Sequence, residues 1–124
     1  MDNLVLEKTS DRLGVNFDAS TGILELAGSS YPENTIEFFE PVINWINQYM
    51  LEITGKITMN LKLDYLNSSS VKFVSDIIDK LALYHKSGAE VEVNWYFNED
   101  DEDIEEMGMD LKEETKLPFN LIAN

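Results

Sequence analysis

The chain has 124 residues, of which 44% are hydrophobic, and this length predicts a single compact domain spanning residues 1–124. The lack of cysteine excludes disulfides, thiolate metal sites and thiol nucleophiles, and the single histidine, His85, cannot form a histidine cluster for zinc. The formal net charge of −15 repels phosphate backbones and anionic lipids, so we expect no nucleic-acid or membrane partner and favour a partner with a basic surface.

The first third of the chain has the alternating pattern of short antiparallel strands. Leu4 and Leu6 are two residues apart, as in a short strand. Residues 13–27 predict a hairpin around a turn rich in Asp, Ser and Gly, with the second strand ending at Gly28. The composition of residues 29–34, SSYPEN, predicts a loop.

A helix is predicted after this loop. Apolar residues at spacings of three and four form one helical face: Ile36, Phe39, Val42, Ile43, Ile46 and Met50. Pro41 lies inside this pattern, where it costs about 3 kcal/mol unless a kink absorbs it. We therefore expect a helix that begins irregularly near Glu33 and is regular only after Glu40.

The middle of the chain predicts a parallel βαβ unit. Residues 56–66 alternate apolar and polar side chains, residues 71–86 have helical spacing, and residues 91–97 are rich in β-branched and aromatic side chains. Val71, Val74, Ile78 and Leu81 form the predicted apolar face of this second helix. Short connections make the two strands parallel, and an apolar tail at residues 117–122 predicts a last strand.

The acidic run at residues 98–106 opens a stretch, 98–114, with ten carboxylates and one lysine. It lacks the glycine that an EF-hand loop needs at its sixth position, where Asp103 stands. Because like charges repel and stay hydrated, we interpret the run as a solvated loop. Weak binding of Mg²⁺ or Ca²⁺, or of a basic partner, stays open as an alternative.

The residues needed for catalysis are scarce. The six glycines do not cluster into a phosphate-binding loop, and Asp64 and Asp76 stand in no recognisable substrate pocket. We therefore expect no enzyme activity, no cofactor and no metal site. The first residues do not resemble a signal peptide and no apolar run could span a membrane, so we expect a cytoplasmic protein.

Three consecutive serines, Ser68, Ser69 and Ser70, stand between the βαβ unit's first strand and its helix. One interpretation is that Asn67 or Ser68 caps the helix and the other serines are small first-turn residues. The second is a phosphorylation site, because a helix N-terminus carries a partial positive charge and tolerates an added dianion.

A serine at the turn between strand and helix in a small βαβ domain resembles the STAS fold of anti-sigma-factor antagonists. Their Asp-Ser-Ser-Gly stretch is replaced here by Asn-Ser-Ser-Ser, so this resemblance is one of architecture. The sequence more closely resembles the SiaC family of bacterial regulatory phosphoproteins, which are STAS-like, over nearly the whole chain. The matching segments are Ser30–Asn34, Phe38-Phe39-x-Pro41-Val42-x-x-Trp45, Tyr65–Ser70, Val93–Tyr96 and the acidic run followed by Gly108.

This resemblance implies an α/β, STAS-like domain with a small mixed β-sheet packed by two long helices. It also implies a phosphoacceptor directly after the asparagine of the turn, which is Ser68. Because the family typically has Asn-Thr-Ser-Ser there, Ser69 and Ser70 stay open as alternative acceptors. The implied partner-binding residues are Tyr31, Pro32, Glu33, Asn34, Tyr65, Asn67, Ser69 and Ser70, although the segment Tyr31–Asn34 is equally well interpreted as a rigid loop.

The implied function is a partner switch in biofilm signalling. A dedicated protein Ser/Thr kinase phosphorylates the protein, a PP2C-type phosphatase removes the phosphate, and the unphosphorylated form activates a diguanylate cyclase (a GGDEF protein) that makes cyclic di-GMP. Two alternatives stay open: an anti-sigma-factor antagonist that binds an anti-sigma kinase, and a cation-binding acidic protein.

Overall fold

The computed structural model of the chain describes all 124 residues, Met1–Asn124. It contains six strands and three helices, which follow one another along the chain as β1 (Leu4–Leu6), β2 (Gly14–Phe17), β3 (Ile23–Ser30), α1 (Thr35–Glu52), β4 (Ile57–Leu66), α2 (Ser68–Lys86), β5 (Val91–Phe97), α3 (Glu102–Thr115) and β6 (Phe119–Ala123).

The six strands form one mixed sheet in which their order is the same as in the sequence. Strands β1, β2 and β3 are antiparallel neighbours, whereas β3, β4, β5 and β6 are parallel. Each parallel pair is joined through one helix, as the crossover rule for parallel strands requires. The predicted α/β class, the mixed sheet, the hairpin and the βαβ unit are confirmed.

All three helices cover the same face of the sheet. One row of buried side chains crosses the sheet from β2 to β6: Phe17, Leu24, Met59, Val93 and Phe119. At one end of this face the Phe17 ring contacts Trp45 of α1, and at the other the Trp95 indole donates a hydrogen bond to the Ile104 carbonyl of α3. The core of 28 buried residues lies between this face and the helices.

The opposite face of the sheet is polar and open. Asn60, Asn94 and Asn120 stand side by side on β4, β5 and β6. The Asn120 amide donates to the Asn94 side-chain oxygen at 3.0 Å, and the Asn94 amide donates to the Asn60 side-chain oxygen at 2.9 Å. Lys62 forms an ion pair with Glu25 at 2.8 Å, and this hydrogen bond raises the pKa of the lysine. The alternation predicted for residues 56–66 thus separates the core from a hydrogen-bonded surface.

Two predicted boundaries are wrong at the end of β3 and the start of α1. Strand β3 continues to Ser30 instead of ending at Gly28, because Ser29 and Ser30 pair with the end of β4 after a bulge at Gly28/Ser29. The loop is therefore reduced to residues 31–34. Helix α1 begins at Thr35, with Asn34 as its N-cap, and contains Pro41 without an irregular start.

The cost of Pro41 is moderated by its position on the helix. A proline cannot donate a hydrogen bond to the carbonyl four residues earlier, which belongs to Glu37. Both Pro41 and Glu37 are exposed, so water can reach the carbonyl that the proline leaves unpaired. None of the three helices is both long enough and apolar enough to cross a lipid bilayer.

The interpretation of the acidic run as a loop is wrong for most of its length, because residues 102–115 form α3. Asp101 caps this helix by accepting a hydrogen bond from the Ile104 amide, and three acidic residues in its first turn complement the helix dipole. Ile104, Gly108 and Leu111 are buried at helical spacing. The sheet is thus packed by a third helix in addition to the two long ones.

Candidate functional site

The serine turn, residues Asn67–Ser70, lies where strands β3 and β4 end and helices α1 and α2 begin. The backbone amide of Asn67 donates to the carbonyl of Ser30 at 2.9 Å, so the last parallel pairing of the sheet leads directly into α2. The carboxyl edge of a parallel sheet is where α/β proteins usually place their ligands. We call this region the carboxyl edge.

Asn67 is the N-cap of α2. Its side-chain oxygen accepts a hydrogen bond from the Ser70 amide at 2.9 Å, and α2 begins at Ser68. This resolves the two capping candidates in favour of Asn67, and it leaves Ser68 and Ser69 as the first two residues of the helix. Their amides precede the first intrahelical hydrogen bonds, so they give the N-terminus its partial positive charge.

The three serines have three different environments. The Ser68 side chain is exposed and forms no hydrogen bond within the chain. The Ser69 side chain is also exposed, but its oxygen lies 2.7 Å from the Thr35 hydroxyl and 3.3 Å from the Asn67 side-chain oxygen. The Ser70 side chain is 0% exposed, and its hydroxyl is hydrogen-bonded to that of Ser30 at 2.7 Å.

Two of the predicted site residues are buried in this conformation. The Ser70 hydroxyl has no solvent access, so a kinase could reach it only after the turn opens, whereas Ser68 and Ser69 are already exposed. Ser70 and Pro32 therefore offer little surface to a partner, and both stay untested as partner-binding residues. Asn67 is half-buried and its oxygen is used as the helix cap.

The remaining predicted partner-binding residues come together at the carboxyl edge. Tyr31 and Tyr65 are 48% and 53% exposed, and their rings meet edge to face with centroids 5.9 Å apart. Their contact follows from the register of the sheet, in which Ser29 and Ser30 pair with Tyr65 and Leu66. Glu33 and Asn34 are exposed beside them, and the Asn34 side chain caps α1 by accepting from the Glu37 amide at 3.0 Å.

Sequence reasoning missed four residues of this region. Ile36 and Val71 were predicted to be buried but are 62% and 36% exposed, because they lie in the first turns of α1 and α2, at the end of the sheet. Ser30 and Thr35 were missed because their partners on the serine turn are 40 and 34 residues away in the sequence.

An acidic groove of about 570 Å³ lies next to the end of β4. It is lined by Leu63, Asp64, Asn98, Asp100, Asp101, Glu102 and Asp103. No three or more His, Asp or Glu side chains of the chain are arranged so that they could hold one metal ion. The groove therefore gives the carboxyl edge a negative border without forming a recognisable ligand set.

Comparison with known proteins identifies the family. The family model for SiaC family regulatory phosphoproteins matches residues 6–124. A protein of Pseudomonas aeruginosa strain UCBPP-PA14 is 32% identical over 124 residues, which is all of this chain and 98% of that protein.

Two solved structures are similar to this chain over nearly its whole length. The structure of SiaC of Pseudomonas aeruginosa superimposes with a TM-score of 0.93 at 31% identity and covers 100% of both chains. A chain in the crystal structure of the diguanylate cyclase SiaD in complex with its activator SiaC, also from P. aeruginosa, gives a TM-score of 0.92 at 31% identity, covering 98% of this chain and 99% of that one. The protein described here therefore belongs to the SiaC family of regulatory phosphoproteins.

Proposed function

We propose that this protein is a non-catalytic, phosphorylation-controlled partner switch. Its unphosphorylated form binds and activates a diguanylate cyclase. A dedicated protein Ser/Thr kinase phosphorylates Ser68, which blocks this binding, and a PP2C-type phosphatase restores the active form. The switch operates in the cytoplasm. The proposal is supported by membership of the SiaC family and by the similarity to the complex in which SiaC is the activator of the diguanylate cyclase SiaD.

The assignment of Ser68 rests mainly on the different environments of the three serines. Ser68 is the one whose hydroxyl is exposed and makes no hydrogen bond within the chain. A phosphate there would stand at the N-terminus of a 19-residue helix, next to amides without intrahelical partners. Since Asn67 supplies the cap, adding the phosphate would break no hydrogen bond that holds the helix.

The proposed cyclase-binding surface consists of Tyr31, Glu33, Asn34, Tyr65 and Ser69. Exposed tyrosines are typical anchors of protein interfaces, because they bury a large apolar ring while keeping a polar tip. The two rings fix each other's orientation, so less side-chain entropy is lost when a partner packs on them. Ile36 and Val71, exposed apolar residues in the first turns of α1 and α2, are included in the apolar part of the proposed surface.

Phosphorylation of Ser68 would oppose binding at this surface by electrostatics and desolvation. A phosphoserine brings about −1.5 to −2 charges at pH 7 and is strongly hydrated. Ser68 follows Tyr65 by three residues, and the border of the surface is already negative through Glu33 and the acidic groove. A partner that covers the tyrosine pair would have to remove water from the phosphate, which costs free energy unless a cation of the partner replaces that water.

Binding to a purified GGDEF-containing diguanylate cyclase tests the proposal, with the dissociation constant and the rate of cyclic di-GMP formation as readouts. We expect Ser68→Ala to bind and activate like the unmodified protein but to take up little phosphate. Ser68→Asp should weaken binding by about tenfold or more, equivalent to roughly 1.4 kcal/mol. Ser87→Ala, which changes an exposed serine at the other end of α2, is the matched control and should take up phosphate normally.

The tyrosine surface is tested with the same assay. Tyr65→Ala should weaken cyclase binding by about 2 kcal/mol if the ring is an interface anchor. Leu83→Ala is the control, because Leu83 is 69% exposed on the distant half of α2. Full phosphate uptake by Ser68→Ala would contradict the acceptor assignment. Selective capture of an anti-sigma kinase instead of a cyclase would replace the proposed partner by the anti-sigma alternative.

A further inference from the structure

We infer that Thr35 is a specificity-determining residue that restricts phosphorylation of the serine turn to Ser68. This inference rests on the proposed function, since it concerns which hydroxyl the kinase modifies. Ser68 and Ser69 are adjacent, both are exposed and both stand in the first turn of α2. Exposure alone therefore does not separate them, and a different feature must decide between the two hydroxyls.

The hydrogen bonds of Ser69 provide that feature. Its oxygen lies 2.7 Å from the Thr35 hydroxyl, where either hydroxyl can be the donor, and 3.3 Å from the Asn67 side-chain oxygen, which can only accept. In either arrangement Thr35 engages the proton or a lone pair of the Ser69 hydroxyl. The Thr35 contact is the shorter of the two and joins α2 to the first residue of α1.

Phosphoryl transfer needs the groups that these contacts occupy. The acceptor oxygen forms a bond to the γ-phosphorus of ATP, the bond between that phosphorus and the ADP oxygen breaks, and the hydroxyl proton passes to a base of the kinase. Ser69 must first lose its contact with Thr35, whereas Ser68 has no such contact to lose. A net hydrogen bond corresponds to about a two- to tenfold preference.

The inference is tested in a background without the favoured acceptor. The tagged full-length chain is produced in its native bacterium as wild type, Ser68→Ala, Ser68→Ala/Thr35→Val and Ser68→Ala/Thr35→Ser. Phosphates are counted by intact mass and located by fragment-ion mass spectrometry. Valine has nearly the shape of threonine but no hydroxyl, and serine restores the hydroxyl, so the pair separates the hydrogen bond from a general effect on packing.

We expect phosphate at Ser68 in the wild type and a low but measurable level at Ser69 in Ser68→Ala. Adding Thr35→Val should raise phosphate at Ser69 by about two- to tenfold over the Ser68→Ala background, and Thr35→Ser should return it to that background. Thermal unfolding of each variant shows whether it is folded. Two results would overturn the role of Thr35 without affecting the proposed function. One is an equal amount of phosphate on Ser69 with and without Thr35→Val, and the other is a substantial amount of phosphate on Ser69 in the wild type. Wild-type protein that carries no phosphate even in cells without the phosphatase overturns the proposed function as well.

Discussion

Replacing Ser70 by alanine is expected to destabilise the fold, because it leaves the buried hydroxyl of Ser30 without a partner. Both side chains are 0% exposed, and each hydroxyl forms its hydrogen bond with the other at 2.7 Å. A buried polar group left unsatisfied costs about 1–3 kcal/mol, and the alanine creates little empty space. We therefore expect about 1–3 kcal/mol of lost stability for Ser70→Ala, and the same for Ser30→Ala.

The double variant gives the sharper result. Ser30→Ala/Ser70→Ala removes both polar groups, so no hydroxyl stays buried without a partner, and replacing both members of such a pair is close to neutral. The two single costs should therefore not add, and a coupling energy equal in size to their sum, about 2–6 kcal/mol, should appear in the double-mutant cycle. Ser68→Ala, at an exposed position of the same turn, is the control and should change stability by less than about 0.5 kcal/mol.

Urea unfolding followed by circular dichroism measures the wild type and all four variants, with equal slopes showing that the same surface is exposed on unfolding. Strict additivity of the two single substitutions would refute the reasoning, because it would mean that the hydroxyls do not depend on each other. A negligible cost for Ser70→Ala would refute the burial of this hydroxyl. It would also bring Ser70 back as a candidate acceptor.

Three further outcomes are expected. Asn67→Ala should cost about 0.5–2 kcal/mol in urea unfolding, because it removes the cap of α2. Gly108→Ala should destabilise by about 1–3 kcal/mol despite alanine's better helix propensity, because the new methyl group would lie 2.6 Å from atoms of the Trp95 ring. Burial raises the pKa of Tyr84 above its ordinary 10.0, and its hydroxyl donates to the Gly55 carbonyl at 2.7 Å. The folded state thus favours the protonated tyrosine, so this contribution to stability is complete below pH 10 and is lost as the pH rises further. Urea midpoints between pH 8 and 11 should fall less steeply in Tyr84→Phe.

Periodicity predicted those elements whose side chains clearly separate an apolar face from a polar one. The strand at residues 56–66, the helix that follows it and the parallel strand at 91–97 belong to this class. Helix α3 was missed because its buried stripe consists of only Ile104, Gly108 and Leu111, among many carboxylates. Its acidic first turn was a usable signal, since carboxylates at a helix N-terminus stabilise the helix dipole.

The candidate site was predictable only in its local part. The position of the serine turn before a helix follows from neighbouring residues, so the turn and its asparagine cap could be proposed from the sequence. The different environments of Ser69 and Ser70 depend on Thr35 and Ser30, which are far away in the sequence and come near only when α1 and β3 pack beside α2. No single-sequence pattern encodes such contacts.

The separation of the helix cap from the proposed acceptor has a consequence for how the proposed switch could change during evolution. Because Asn67 holds the start of α2 and Ser68 contributes no hydrogen bond, residue 68 can mutate among serine, threonine and other small polar residues without endangering the scaffold. Substitutions at residue 68 could then change how readily the proposed site is phosphorylated without changing the thermal stability of the fold. Protein engineers gain the same freedom, and can install an unmodifiable or permanently charged residue at this one position while the rest of the chain stays as it is.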